Sequence, residues 1–165
     1  MSNKNETKAF TNINKDALAK KFDFMFGNID VNGVIQWADK IIESHDVFPS
    51  EVIDLSLCRE MHQVDIVRLL ETLSCDVDAQ KAYADAFTRL AKRSLLELDE
   101  KRFKPEEIAE RFYVLSSVWT LEPKHEEFGL WIDDEFKLVG QGISDRKYAV
   151  DLLKQYLEEF AGTTK

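Results

Sequence analysis

Glycine and proline are scarce in this chain. Its 165 residues include only six glycines and three prolines. A β-rich domain of this length would need more turns, and turns use these two residues most. The scarcity therefore favours long helices with short connections, and the length suits one domain with a substantial core.

Cysteine and histidine are also rare, which limits the chemistry that the chain can perform. The two cysteines and three histidines are Cys58, Cys75, His45, His62 and His125. Two thiols without a second pair or nearby histidines do not form a zinc site, and we expect both to be reduced. No HExxH, GxSxG, GxGxxG or Walker-type motif is present. We therefore predict no cofactor, no metal and no enzymatic activity.

Long apolar runs are absent as well. No stretch approaches the ~18 apolar residues that a membrane helix requires. The first ten residues, MSNKNETKAF, lack the apolar core of a signal peptide. With 44% hydrophobic and 32% charged residues, the composition is typical of a globular protein. We expect a cytoplasmic protein that does not contact membranes.

Acidic residues outnumber basic ones by 31 to 22, which gives a formal net charge of −9. The phosphate backbone repels such a surface, so nucleic acid is not an expected partner. A basic protein would be attracted, and its approach would be accelerated. The alternative is that the charge only maintains solubility.

The clearest helix lies between Gly27 and Leu57. Its apolar residues recur at i, i+3, i+4, i+7 and i+8, and they are Val34, Trp37, Ala38, Ile41 and Ile42. Asp30 precedes this stripe and is the expected N-cap. We interpret Trp37 as a core residue rather than a ligand platform. A short helix is expected to follow, opening at Pro49.

Other apolar stripes with helical spacing predict further helices. The expected N-caps are Asn14 for the first helix, Asp76 or Asp78 for the longest one, and Ser144 for the last. The resulting helices cover residues 14–26, 59–73, 78–100, 105–119 and 144–161. The predicted fold is an all-α, single-domain bundle of six to seven helices spanning residues 1–165, with residues 1–11 flexible.

Residues 122–142 break the helical pattern. Four residues punctuate this segment: Pro123, Gly129, Gly140 and Gly142. Residues 130–132 and 136–139 could form two short strands, or the segment could be a loop with one helical turn. We therefore expect irregular structure or a short β-hairpin near residues 128–140.

This segment also concentrates acidic charge. Between positions 122 and 135, six acids stand against a single base, Lys124. An aromatic residue surrounded by acids is a candidate hot spot for a basic partner. The predicted partner-binding residues are Glu122, Glu126, Glu127, Trp131, Asp133, Asp134 and Glu135. The alternative is a solvated acidic loop with Trp131 turned inward. The carboxylates at 133–135 could in principle bind a cation, but their spacing does not match an EF-hand.

One part of the chain resembles a known family. The resemblance lies in Gly27, Asp30, the run VIQWADKII at 34–42, Pro49, the run EVIDLSL at 51–57, and residues 64–73, which end in LLETL. These features resemble a family of small helical bacterial proteins, the immunity proteins that neutralise polymorphic toxins, including those of contact-dependent growth inhibition. The second half of the chain does not align, so the resemblance carries over no interface residue.

The resemblance implies a role without catalysis. Such a protein would bind the C-terminal domain of its cognate toxin in the cytosol and block the active site or substrate path. A nuclease toxin is usually basic, which suits the acidic charge of this chain. The resemblance leaves the oligomeric state open. Two other classes fit the residues: an acidic binding module, such as a nucleic-acid mimic or secretion chaperone, and a hydrolase that uses Asp133 or Glu135 with His125.

Overall fold

The computed structural model describes residues 3–74 and 78–163, and in these ranges the chain is helical without any strand. The described α-helices are α1 (Asn3–Met25), α2 (Val31–Ser44), α3 (Ser50–Ser56), α4 (Gln63–Leu73), α5 (Ala79–Asp99), α6 (Pro105–Val118), α7 (Pro123–Gly140) and α8 (Arg146–Phe160). A 3₁₀ turn, Cys58–Glu60, links α3 to α4. The all-α prediction is confirmed, with one helix more than the predicted maximum of seven.

The additional helix is α7, so the prediction of irregular structure or a β-hairpin near residues 128–140 is wrong. Most of the expected breaks occupy positions that a helix tolerates. Pro123 is the first residue of α7, where its missing N–H has no helical partner to lose. Gly140 is the last residue of the helix, and Gly142, with φ of 72°, follows the end.

Gly129 lies in the interior of α7 for a packing reason. A Cβ atom at this position would meet the hydroxyl of Ser116 and would lie 2.6 Å from the carbonyl oxygen of Phe112, both on α6. The missing side chain therefore allows α7 to approach the backbone of α6 closely. Local sequence rules treat an internal glycine as a weakness, and here it is a requirement of the helix pair.

Several predicted helix ends are confirmed. Asp30 caps α2, because its carboxylate accepts from the Gly33 N–H at 2.9 Å. Asp78 precedes α5 and accepts from the Gln80 N–H at 3.1 Å, while the alternative cap, Asp76, lies outside the described residues. Pro105 is the first residue of α6.

Other starts differ from the predictions. Asn14 lies inside α1, which begins at Asn3, so the predicted N-cap there is wrong. A capping residue does not stop a helix when the residues before it are helical too. Asp145 caps α8 instead of Ser144, and its carboxylate accepts from the Tyr148 N–H at 2.9 Å. The flexibility of residues 1–11 stays a prediction.

Contacts group the chain into two compact units, Met1–Phe87 and Thr88–Lys165, with the boundary inside α5. In the first unit, α1 packs on α4 and α2 packs on α3. Its core includes a cluster of edge-to-face and stacked rings, formed by Phe22, Phe26, Tyr83 and Phe87. The single-domain organisation stays a prediction.

Trp37 and Cys58 belong to the first unit. Trp37 is half-buried on α2, beside the fully buried Val34 and Ala38. Cys58 is a free, buried cysteine, and its burial raises the pKa of the thiol. Cys75 lies outside the described residues.

The second unit is built around the α6–α7 pair. The rings of Phe112 and Phe128 meet edge-on at 5.2 Å between the two helices. α8 adds Tyr156 and Phe160, whose ring centroids lie 5.0 and 5.3 Å from that of Phe128. These contacts hold α7 in a defined rotation about its axis, which decides the side chains that face solvent.

Candidate protein-binding face

The predicted partner-binding residues lie on a helix instead of a loop, so they point in different directions. Successive side chains on α7 are rotated by about 100°. Glu126, Glu127 and Asp134 are exposed, and Glu122 is a half-buried N-cap residue. The acids that are close together in the sequence therefore differ in exposure: some face solvent, and others face the interior of the second unit.

Glu135 belongs to the interior. Its side chain is buried, and its carboxylate accepts a hydrogen bond from the Ser144 hydroxyl. This bond ties the last turns of α7 to the segment that leads into α8. The structure thus gives Glu135 a contact within the fold and leaves it little surface to offer a partner.

Asp133 is also largely covered, with 13% of its side chain exposed. The Lys137 ammonium lies 2.6 Å from Asp133 and 3.7 Å from Asp134. The same ammonium lies 5.0 Å from the centre of the Tyr113 ring on α6. The pKa of Lys137 is raised, first by its hydrogen bond to Asp133. Part of the acidic charge on α7 is therefore balanced within the fold.

Four of the exposed residues form one continuous stripe, which we call the outer face of α7. It consists of Glu127, Trp131, Asp134 and Leu138, at i, i+4, i+7 and i+11. Trp131 retains 38% of its exposure. Its ring lies edge-on to Tyr156, with the centroids 5.9 Å apart. The tryptophan is thus partly supported by α8 and partly open to solvent, so it is neither free nor turned inward.

Sequence reasoning missed several exposed apolar side chains in the same unit. Val114 and Val118 on α6 are about half exposed, as is Leu130 on α7. Val114 and Val118 are spaced i, i+4 and fall off the buried stripe of α6, which contains Ile108, Phe112 and Leu115. An apolar pair outside the buried stripe could have predicted, from the sequence alone, that α6 exposes an apolar surface.

The residues proposed for hydrolysis are not brought together. His125 is buried, and its ring meets Phe160 edge-on at 4.8 Å. Burial, helped by the charge of Lys124, lowers the pKa of His125 to about 4. On one helix, the eight-residue step from His125 to Asp133 corresponds to roughly 12 Å of rise, and the ten-residue step to Glu135 corresponds to roughly 15 Å. Neither carboxylate is therefore placed to orient this imidazole.

The consecutive acids at 133–135 do not converge either. The helix rotates Asp133, Asp134 and Glu135 away from one another, and each has a partner within the fold: Lys137 for the two aspartates and Ser144 for Glu135. Within residues 3–74 and 78–163, no group of three or more His, Cys, Asp or Glu side chains could hold a metal ion.

Comparisons with known proteins give no relative. No protein-family model matches the chain, and neither the curated proteins nor the solved structures contain a match. Among the described helices, none combines the length and the apolar character needed to cross a membrane.

Proposed function

We propose that this chain is a binding protein without catalytic activity that captures a basic protein domain on the outer face of α7. In the form that the sequence resemblance suggests, it is the immunity protein of a nuclease-type toxin and acts in the cytosol. The observation that carries the proposal is the exposure of Trp131 between two exposed acids, Glu127 one turn before it and Asp134 one turn after it.

This arrangement suits an arginine or lysine of the partner. A guanidinium can stack on the exposed part of the indole while it pairs with a carboxylate on the neighbouring turn. Tyr156 already limits the motion of the Trp131 ring, so less side-chain entropy is lost on binding. Tryptophan and arginine are the residues most enriched at the energetic centres of interfaces.

The proposed inhibition is occlusion of the partner's substrate path. A nuclease needs a basic surface to bind phosphates, and that surface also attracts acids. The net charge of −9 would steer the two proteins together before the toxin acts. Nanomolar inhibition corresponds to a binding free energy of about −12 kcal/mol. The resemblance lies in the first half of the chain and the outer face in the second, so the two supports are independent.

The first experiment is co-purification with the product of the adjacent upstream gene. The tagged C-terminal domain of that product is expressed with the full chain. We expect a stable 1:1 complex, and we expect cells that make both proteins to survive. A harmless upstream product that forms no complex would contradict the immunity proposal. A basic DNA-binding protein that binds the chain in competition with DNA would favour the nucleic-acid mimic instead.

The second experiment tests the exposed acids of α7, two of which lie on the outer face, with matched charge changes. The triple variant E126Q/E127Q/D134N removes three exposed acids from α7 and leaves the largely covered Asp133 and the buried Glu135 unchanged. The control E43Q/D54N/E60Q removes three exposed acids from the first unit. We expect the α7 variant to raise Kd by about 10- to 100-fold, which corresponds to ~1 kcal/mol or less per charge. Its salt dependence should become flatter.

The control triple should leave Kd within about threefold, because it changes the net charge equally without altering any residue of α7. Trp131→Ala should weaken binding by at least about tenfold, as expected for a central hot-spot residue. An equal effect of the two triple variants would show that overall charge matters and that the outer face does not. If neither Trp131→Ala nor the α7 triple variant changed Kd, the interface would have to lie on another surface of the protein.

A further inference from the structure

A cavity of about 760 Å³ lies in the second unit, between the end of α5, the α5–α6 link and α8. Its volume is in the range of small-molecule sites. Apolar walls come from Leu98, Pro105, Val150 and the half-exposed ring of Phe103. Five cations also line it: Lys101, Arg102, Lys104, Arg146 and Lys154. This concentration of positive charge contrasts with the acidic character of the chain.

Three of these cations have a carboxylate partner, in the pairs Arg102–Glu100, Arg146–Glu106 and Lys154–Asp99. These pairs are solvent-exposed, so a bound anion can compete for their cations. Within the described part of the chain, no carboxylate lies within 4 Å of the Lys101 or Lys104 ammonium, although the charge of Lys104 helps to lower the pKa of Glu106. Asp99, Glu107 and Asp151 are the acids of the lining, and of these Glu107 accepts from the backbone N–H of Lys104 at 2.6 Å.

Lys101 has an unusual backbone conformation for a lysine. It follows the end of α5 with φ of 55°, and its N–H donates to the Leu98 carbonyl at 3.2 Å. The Arg102 N–H donates to the Glu97 carbonyl at 3.0 Å. This is the left-handed position after a helix that glycine usually occupies, since a Cβ atom is unfavourable there. Glycine would end the helix better, so stopping the helix does not explain the lysine.

We propose that this cavity binds a small molecule through its phosphate groups, with Lys101 and Lys104 as the principal cations. Arg102 and Arg146 would contribute further hydrogen bonds to the phosphate oxygens. The ring of Phe103 would pack against the organic part of the ligand, since it is 42% exposed although the Arg111 guanidinium lies 5.2 Å from its centre. The site does not depend on the N-terminus of α6, where Glu107 already occupies the position of a bound anion.

The test uses the full chain and isothermal titration calorimetry with pyrophosphate, ADP and adenosine. We expect pyrophosphate and ADP to bind and adenosine to bind more weakly than either. The double variant K101A/K104A should raise the Kd for both anions by at least about tenfold, as expected for the loss of two charge-assisted contacts. The matched control K92A/K147A removes two exposed lysines that do not line the cavity and should leave both Kd values unchanged.

Two single variants sharpen the test. Lys101→Gly should raise the melting temperature, because glycine suits the left-handed position, and should weaken pyrophosphate binding at the same time. If Lys101 had only a structural role, the substitution would change the melting temperature without weakening pyrophosphate binding. Phe103→Leu keeps the apolar volume and removes the aromatic ring. It should weaken ADP and spare pyrophosphate if the ligand is a nucleotide, and it should affect neither if only phosphate is recognised.

Two results would overturn the proposal: failure of both anions to bind at millimolar concentration, or equal binding by K101A/K104A and by K92A/K147A. The proposal is separate from the outer face of α7, because none of its residues belongs to that face. Loss of toxin binding in the E126Q/E127Q/D134N variant and loss of pyrophosphate binding in the K101A/K104A variant are thus independent outcomes.

Discussion

Replacement of Gly129 by alanine is the most direct test of the α6–α7 pair. The new Cβ atom would lie 2.6 Å from the Phe112 carbonyl oxygen and would also meet the Ser116 hydroxyl. An ordinary C···O contact is about 3.3–3.6 Å. One helix must therefore move by roughly 0.7–1 Å, and the obstacle includes backbone, which cannot rotate aside as a side chain can.

The free-energy cost follows from two opposing terms. Overpacking of a well-packed core costs about 1–3 kcal/mol, and a backbone obstacle places this case near the upper value. Alanine stabilises a helix interior by about 1 kcal/mol relative to glycine. The expected net loss is about 2 kcal/mol in the free energy of unfolding. Separation of the helices should also weaken the ring contact between Phe112 and Phe128.

The assay is equilibrium unfolding in urea, with Gly140→Ala as the matched control in the same helix. Nothing lies within 4 Å of a Cβ atom built at Gly140, so this variant should be as stable as the parent or more stable by about 0.5 kcal/mol. Adding Ser116→Ala to Gly129→Ala should recover only part of the loss, since the Phe112 carbonyl remains. A Gly129→Ala protein as stable as Gly140→Ala would refute the close approach of the two helices.

Three further predictions concern single side chains. Asp30→Ala removes the cap of α2 and should cost about 1 kcal/mol in urea unfolding, while an undiminished stability would contradict the capping role. Trp37→Ala should lower the free energy of unfolding by about 2 kcal/mol. This is less than the ~3–5 kcal/mol expected for a fully buried tryptophan, because Trp37 is half-buried. If the variant lost partner binding but kept its stability, Trp37 would instead be an interface residue. His125 has a pKa lowered from 6.5 to about 4 in the fold, so the unfolded chain binds a proton first as pH falls. Stability should therefore drop by up to about 3 kcal/mol between pH 6.5 and 4, and His125→Leu should flatten this part of the pH profile; equal slopes for parent and variant would exclude the histidine as the cause.

Features that depend only on residues close together in the sequence were predictable without the structure. The apolar stripe of α2 and the cap at Asp30 lie within one short stretch, so periodicity and cap chemistry are enough to define that helix. The start of α6 at Pro105 is equally local. The fold class follows from many such stretches together with the scarcity of turn residues.

The candidate site was only partly predictable. Its acids and Trp131 could be found because they are concentrated in the sequence, but their directions could not, since the segment was expected to be irregular. Once α7 is a helix, its rotation separates the exposed Asp134 from the buried Glu135, although the two are adjacent. The bond between Glu135 and Ser144 and the support of Trp131 by Tyr156 join α7 to residues beyond its end, so they depend on how the chain continues after the helix.

The sequence by itself therefore determined a helical, acidic chain and several of its helix ends. Tertiary structure alone decided the existence of α7 and the composition of its outer face. The physical reason is that Gly129 weakens a helix by local propensity, whereas in the fold it permits close contact with the backbone of α6. The cavity at Lys101 has the same origin, because its walls come from α5, the α5–α6 link and α8, which only packing brings together.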